Sequence, residues 1–119
     1  MNALYEEYKI ILERKNEPEE LMGEKSYTKY LFKEGINKIL KKIGEESAEL
    51  IIAAKDASIG AGAEDLNKPV VAETADLFYH VLIMLAELGI PLSDIEAELE
   101  ERAVKTGNLK EFKAVDKNT

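Results

Sequence analysis

The chain has no cysteine and no tryptophan, and it has a single histidine, His80. Without cysteine there are no disulfides, no thiolate metal sites and no cysteine nucleophile. One histidine excludes, within a single chain, any site that needs two imidazoles. A metal site would therefore be built from carboxylates, which suit hard ions such as Mg²⁺ or Mn²⁺. Positive charge is also scarce: 16 Lys and Arg stand against 24 Asp and Glu, a net charge of −8. Such a balance offers no basic stripe to neutralise phosphates, so no nucleic-acid partner is expected. Long hydrophobic runs are missing as well. The longest, Leu77 to Ala86, is ten residues and is interrupted by His80, short of a bilayer span. The start, MNALYEEYKIILERK, lacks the basic-then-apolar order of a signal peptide. A cytoplasmic protein with no membrane partner is the expectation.

What is present describes a folded chain. At 119 residues, 45% hydrophobic and 34% charged, it has the size and composition of one soluble domain covering residues 1–119. Five helical segments can be read and no convincing strand. The first, about Asn2 to Lys15, places Leu4, Tyr8, Ile11 and Leu12 on one face. Asn16 to Lys25 reads as a charged loop. Ser26 reads as the N-cap of a short helix, Tyr27 to Glu34, closed by Gly35. A long helix follows, about Ile36 to Asp56, striped by Ile36, Ile39, Ile43, Leu50 and Ala54. Ala57 to Lys68 is rich in small residues and reads as the most flexible stretch. The next helix, about Pro69 to Leu88, stops at Gly89, and Ser93-x-x-Glu96 reads as a capping box opening a last helix to about Lys105. After Gly107 the tail is polar, with Leu109, Phe112 and Val115 available for docking. The fold class is all-α, an antiparallel bundle of four to five helices. The helix from Pro69 to Leu88 is apolar nearly all round, more than one partner hairpin can cover, so a homodimer is expected to complete the bundle.

On that apolar helix, Glu73, Asp76 and His80 fall within one sector about 60° wide, and Glu87 falls there too. Carboxylates on an otherwise buried helix are costly unless something satisfies their charge; the plainer reading is a narrow solvent-facing strip. The preceding helix carries Glu46 and Glu49, three apart and bordering the apolar stripe, so that they look into the groove between helices. Either acidic pair alone is weak, since such pairs are common on exposed helices. Together, E-x-x-E and E-x-x-D on neighbouring antiparallel helices can bring four acids into one cavity. Four carboxylates so placed cannot all stay ionised without cations between them. Mg²⁺ takes oxygen ligands and usually keeps waters for substrate phosphates.

Gly44-Glu45-Glu46-Ser47-Ala48-Glu49, followed 24 positions after Glu49 by Glu73-Thr74-Ala75-Asp76, is similar to the EExxE…ExxD pattern of the all-α nucleotide pyrophosphohydrolases of the MazG type. Within that group the chain most resembles the phosphoribosyl-ATP pyrophosphatase family of histidine biosynthesis. The likeness rests on Ser26-Tyr27-Thr28, on KILKKIGEESAELIIAAKD and on ETADLFYHVLIMLAELGI, and covers roughly residues 4 to 105. It implies Mg²⁺-dependent hydrolysis of the α–β phosphoanhydride of N1-(5-phosphoribosyl)-ATP. Carried over, Glu46, Glu49, Glu73 and Asp76 would hold the metal, with Mn²⁺ as a substitute ion. Glu45 would be a supporting carboxylate or the base that orients the attacking water, and either Glu45 or Glu46 could serve in catalysis.

A substrate with a triphosphate and a separate ribose phosphate needs cations as well. Lys42 and Lys55, with Lys38, are the candidates; the competing explanation is solvation or i, i+4 pairing, as of Lys42 with Glu46 or Lys41 with Glu45. His80 could touch substrate or simply be hydrogen-bonded in place, and Tyr79 reads as packing with its hydroxyl satisfied. Ser26, Tyr27 and Thr28 are candidates for substrate contact by the resemblance, and a helix cap otherwise. Two other functions compete: a house-cleaning hydrolase of ordinary or damaged nucleoside triphosphates, and a non-enzymatic helical dimerisation module whose acids are merely solvated.

Overall fold

The computed structural model describes residues 2–18, 26–60 and 65–106, which form five α-helices: α1 Ala3–Asn16, α2 Tyr27–Glu34, α3 Ile36–Ile59, α4 Asn67–Leu88 and α5 Leu92–Thr106. No strand occurs among the described residues, and the all-α expectation holds. Most of the loop read over Asn16 to Lys25 and the tail with Leu109, Phe112 and Val115 lie outside them.

Local chemistry sets the helix ends. Asn2 caps α1, its Oδ1 accepting the Leu4 N–H at 3.0 Å. Ser26 caps α2 as its sequence suggests, Oγ accepting the Lys29 N–H at 3.1 Å. Gly35 stands between α2 and α3 with φ 93°, a conformation that a side chain would resist. At the end of α4, Gly89 is left-handed (φ 73°), and the Ile90 N–H reaches the Leu85 carbonyl at 2.9 Å while the Gly89 N–H reaches Ala86. That is a Schellman stop, and Ile90 packs on the core beside it.

Three boundaries differ from the sequence reading. The long helix runs on to Ile59, because Ala57, Ser58 and Ile59 contain no breaker; Gly60 follows, with the Leu66 side chain against it. At the other side α4 starts at Asn67, so Pro69 lies inside its first turn, where its missing N–H costs nothing. The Ser93 capping box does not form. The helix begins at Leu92, with the Asp94 N–H already bonded to the Pro91 carbonyl, so Ser93 sits inside the first turn. The Schellman stop and the fixed φ of Pro91 set the start earlier than the box would.

The two long helices pack on each other along the molecule, and α1 and α2 cover one end of them. The core lies at that end. Ile11, Leu31, Ile39 and Ile83 are fully enclosed, joined by Tyr8, Leu82, Leu85 and Ala86. Polar ties lock it. The Tyr8 hydroxyl donates to the Ile90 carbonyl at 2.6 Å, Lys15 Nζ to the Ala86 carbonyl at 2.8 Å, and Lys29 Nζ closes the end of α1 by donating to the Glu17 carbonyl at 2.7 Å. Beyond the core, the far half of the α3–α4 hairpin leaves Ile51, Ile52, Ile59 and Val71 exposed, and α5 leaves Ile95, Leu99 and Val104 exposed. By length and composition α4 could cross a membrane, as core helices often could; here its second half is the centre of the core.

Candidate metal centre

Glu46 and Glu49 lie one turn apart on α3, and Glu73 enters from the first half of α4. An oxygen from each falls within 4.8 Å of the other two. Glu46 is 8% exposed and is the one buried carboxylate among the described residues; Glu73 is half-buried and Glu49 exposed. Oε2 of Glu46 and Oε2 of Glu73 are both buried with no hydrogen-bond partner. Burial pushes the Glu46 carboxyl above its usual range, reinforced by hydrogen bonding to Glu49, the Glu49 charge and the Asp76 charge, while Lys42 opposes. Glu73 is raised in the same way, by desolvation first and then by Glu49, Glu46 and Asp76. Converging acids with buried, unpartnered oxygens are the donor set a hard divalent ion takes. These residues fit such an ion.

Asp76 is the fourth acid of the pattern. Its charge reaches Glu46 and Glu73, but it stands outside the group of three. It is exposed and faces a cleft of about 410 Å³ between α1 and α4, walled by Leu4, Glu7, Phe78 and Tyr79. Glu49 and Glu73 instead line a cleft of about 280 Å³ with Asp56, Ile52, Leu66 and Pro69. Asp56 lines that cleft too and was not singled out from the sequence. It follows Glu49 by seven residues, two turns along the same face. Glu87 shares the wheel sector of Glu73 but lies fourteen residues on, about 21 Å along the axis. Its Oε2 is also buried without a partner.

The other candidates divide by place. Lys42 Nζ pairs with Glu45 Oε2 at 3.1 Å, an i, i+3 bridge in place of the i, i+4 pairs weighed from sequence. The ammonium holds the Glu45 carboxyl below its usual range. Lys42, Glu45 and Glu46 all lie close enough for their charges to act on the Tyr27 phenol. Ser26 is occupied as a cap. Tyr27 bonds His80 at 2.9 Å, and Thr28 bonds the Tyr79 hydroxyl, which is thus satisfied as expected. Lys38 Nζ stands 6.0 Å over the Tyr30 ring. Lys55 is exposed and, nine residues past Glu46, projects half a turn away from it; within one chain the fold does not bring it to the acids.

Residues 4–103 match the family described as Phosphoribosyl-ATP pyrophosphohydrolase. Among curated relatives, the chain is 45% identical to the phosphoribosyl-ATP pyrophosphatase of Listeria welshimeri over 116 residues, 98% of this chain and 97% of that protein. It is 44% identical to that of Streptococcus thermophilus over 91% of this chain and 92% of the relative, and 42% identical to that of Clostridium novyi over 92% and 89%. A match of this extent, on a helical hairpin that clusters the three acids Glu46, Glu49 and Glu73, makes the chain a member of the phosphoribosyl-ATP pyrophosphohydrolase family.

Proposed function

We propose that this chain is a hydrolase of histidine biosynthesis that cleaves the α–β phosphoanhydride of N1-(5-phosphoribosyl)-ATP, giving phosphoribosyl-AMP and pyrophosphate. Family membership supports the substrate. The observation that carries the chemistry is the trio Glu46, Glu49 and Glu73, with two buried oxygens left without partners. These residues, with Asp76 at the rim, would hold Mg²⁺, or Mn²⁺ in its place. When bound, the ion neutralises charge on the phosphate oxygens and lowers the cost of an attacking water.

The chain's own groups supply the rest. Lys42, whose charge acts on Glu46, is a phosphate ligand, with Glu45 holding its ammonium in place. While that bridge stands, Glu45 is a poor proton acceptor, because its carboxyl is held low. A phosphate that draws Lys42 away returns Glu45 its basicity, so substrate binding and activation of the base are coupled. Glu46, at the centre of the acid cluster, is the other candidate acceptor. Lys38 is placed for the same phosphate-binding role near Tyr30, and Lys55 could serve only a site shared with a second chain. Such a homodimer is part of this reading: the far half of the α3–α4 hairpin exposes Ile51, Ile52, Ile59 and Val71 with nothing from the described residues over them.

The test is pyrophosphate release from phosphoribosyl-ATP, ATP and dATP, each with and without Mg²⁺. Mg²⁺-dependent release from phosphoribosyl-ATP alone is the expected result. Release from ordinary nucleotides moves the chain to house-cleaning chemistry, and silence on all three leaves a dimerisation module. Asp76→Ala should lower turnover at least about a hundredfold; full turnover in that variant removes Asp76 from the site.

A further inference from the structure

His80 is the most enclosed polar residue among the described residues, 4% exposed, and both its ring nitrogens are engaged. Nδ1 lies 2.7 Å from the Asp76 backbone carbonyl, and Nε2 lies 2.9 Å from the Tyr27 hydroxyl. A carbonyl only accepts, so Nδ1 carries the proton, and in the neutral ring the phenol donates to Nε2. Next to this bond, Thr28 is bonded to Tyr79. Two consecutive residues at the start of α2 are thus clamped to two consecutive residues of α4. The His80 ring also meets Tyr27 and Tyr79 edge-on, with centroids 5.7 and 5.2 Å away.

The phenol it holds is not buried. Tyr27 is 42% exposed and Tyr30 44%, and their rings stack at 6.2 Å to make an open aromatic ledge. The ledge adjoins the acid cluster, since Lys42, Glu45 and Glu46 all bear on the Tyr27 phenol. An imidazole buried with both nitrogens engaged, fixing the hydroxyl of a half-exposed ring beside the acid cluster, has a clear use. We propose that His80 is a positioning residue: it fixes the Tyr27 ring at the rim of the acid cluster, and the fixed ring face orients the base of the nucleotide. This rests on the hydrolase reading above and replaces direct contact between His80 and substrate. An aromatic face stacks any base, but only a ring held in one orientation aligns the phosphates with the acids.

Because His80 is the chain's one histidine, its nitrogens can be read by NMR without assignment. The expected spectrum is the Nδ1–H tautomer, and Tyr27→Phe should shift the Nε2 signal more than Nδ1. Kinetics supply the second readout. His80→Phe, which keeps a ring but no acceptor, should raise KM for phosphoribosyl-ATP roughly tenfold with kcat changed far less. His80→Gln, whose amide oxygen can still accept from Tyr27, should recover most of that loss. In a Tyr27→Phe background, His80→Phe should add little, since its route to the substrate is already cut. An Nε2–H tautomer, additive effects in the double variant, or equal loss in the Gln and Phe variants overturns the proposal. A wild-type protein silent on phosphoribosyl-ATP yet showing the Nδ1–H tautomer counts against the hydrolase reading and leaves the clamp itself in place.

Discussion

Glu46 reaches the groove between the long helices while its neighbour Glu45 turns outward to Lys42, and this difference of one residue separates two electrostatic fates. Glu45 is held low by an ammonium; Glu46 and Glu73 are held high by desolvation and by the neighbouring Glu49 and Asp76. The raised pair has a consequence for stability. The folded chain keeps these two protons to higher pH than the unfolded chain does. Their contribution is therefore complete below the ordinary carboxylate range and is lost as pH rises through the folded values. In EDTA, the melting temperature should fall as pH rises above the ordinary carboxylate range, and Glu46→Gln or Glu73→Gln should flatten that fall. Glu45 works in the opposite sense, losing its contribution as pH drops, but it is exposed and screened. A divalent ion needs the ionised acids, so the Mg²⁺-induced rise in melting temperature should grow with pH; at a hundred times Kd it corresponds to about 2.7 kcal/mol. Thermal scans with and without Mg²⁺ across that range check this, and identical curves would remove the metal centre.

Helices were legible where a single residue decides an end. Ser26, Gly35 and Gly89 punctuate the chain by hydrogen bonding or positive φ, and each acts as read. The same local logic misplaced the last helix, because Ser93 competes with a stop four residues earlier that already aims the chain. The acid pattern was legible because i, i+3 spacing survives any helix packing, which is why Glu46, Glu49 and Glu73 converge. What could not be read depends on contacts distant in sequence. The Tyr27–His80 bond spans 53 residues, and nothing local to either residue announces it. The packing of elements also makes a direct prediction. Ile39 on α3 and Ile83 on α4 are both fully enclosed where the two helices and α1–α2 meet. Ile83→Ala should cost about 2–5 kcal/mol, measured by urea denaturation. Tyr8→Phe, which leaves the Ile90 carbonyl without its donor, should cost about 1 kcal/mol. A near-neutral Ile83→Ala would mean that α4 is not packed at that point as described.

Across the whole molecule, the enclosed core sits at one end of a hairpin whose helices continue well past it. Chains of this size bury a limited fraction of their surface alone, and here the unfinished part has a definite address. Ile51 and Ile59 on α3, with Val71 on α4, are each more than two-thirds exposed. These lie beyond the acids on the far half of the hairpin, so the partner that covers them also borders the site. A second copy offers the same apolar faces, and an interface of about 1,200–2,000 Å² would be enough for stable association. In such a dimer the melting temperature depends on protein concentration, because assembly and folding are linked. Val71→Ala, close to neutral for an isolated chain, would then cost stability, and Ile51→Glu would bury an unpaired charge at the interface and split the dimer. Sedimentation of the wild type and Ile51→Glu over a hundredfold range of concentration decides it. Two copies for the wild type and one for the variant are expected, with loss of hydrolysis in the variant because the bordering partner is gone. A wild type that stays single throughout, with a melting temperature indifferent to concentration, would leave the long hairpin standing alone in water and would sink the dimer.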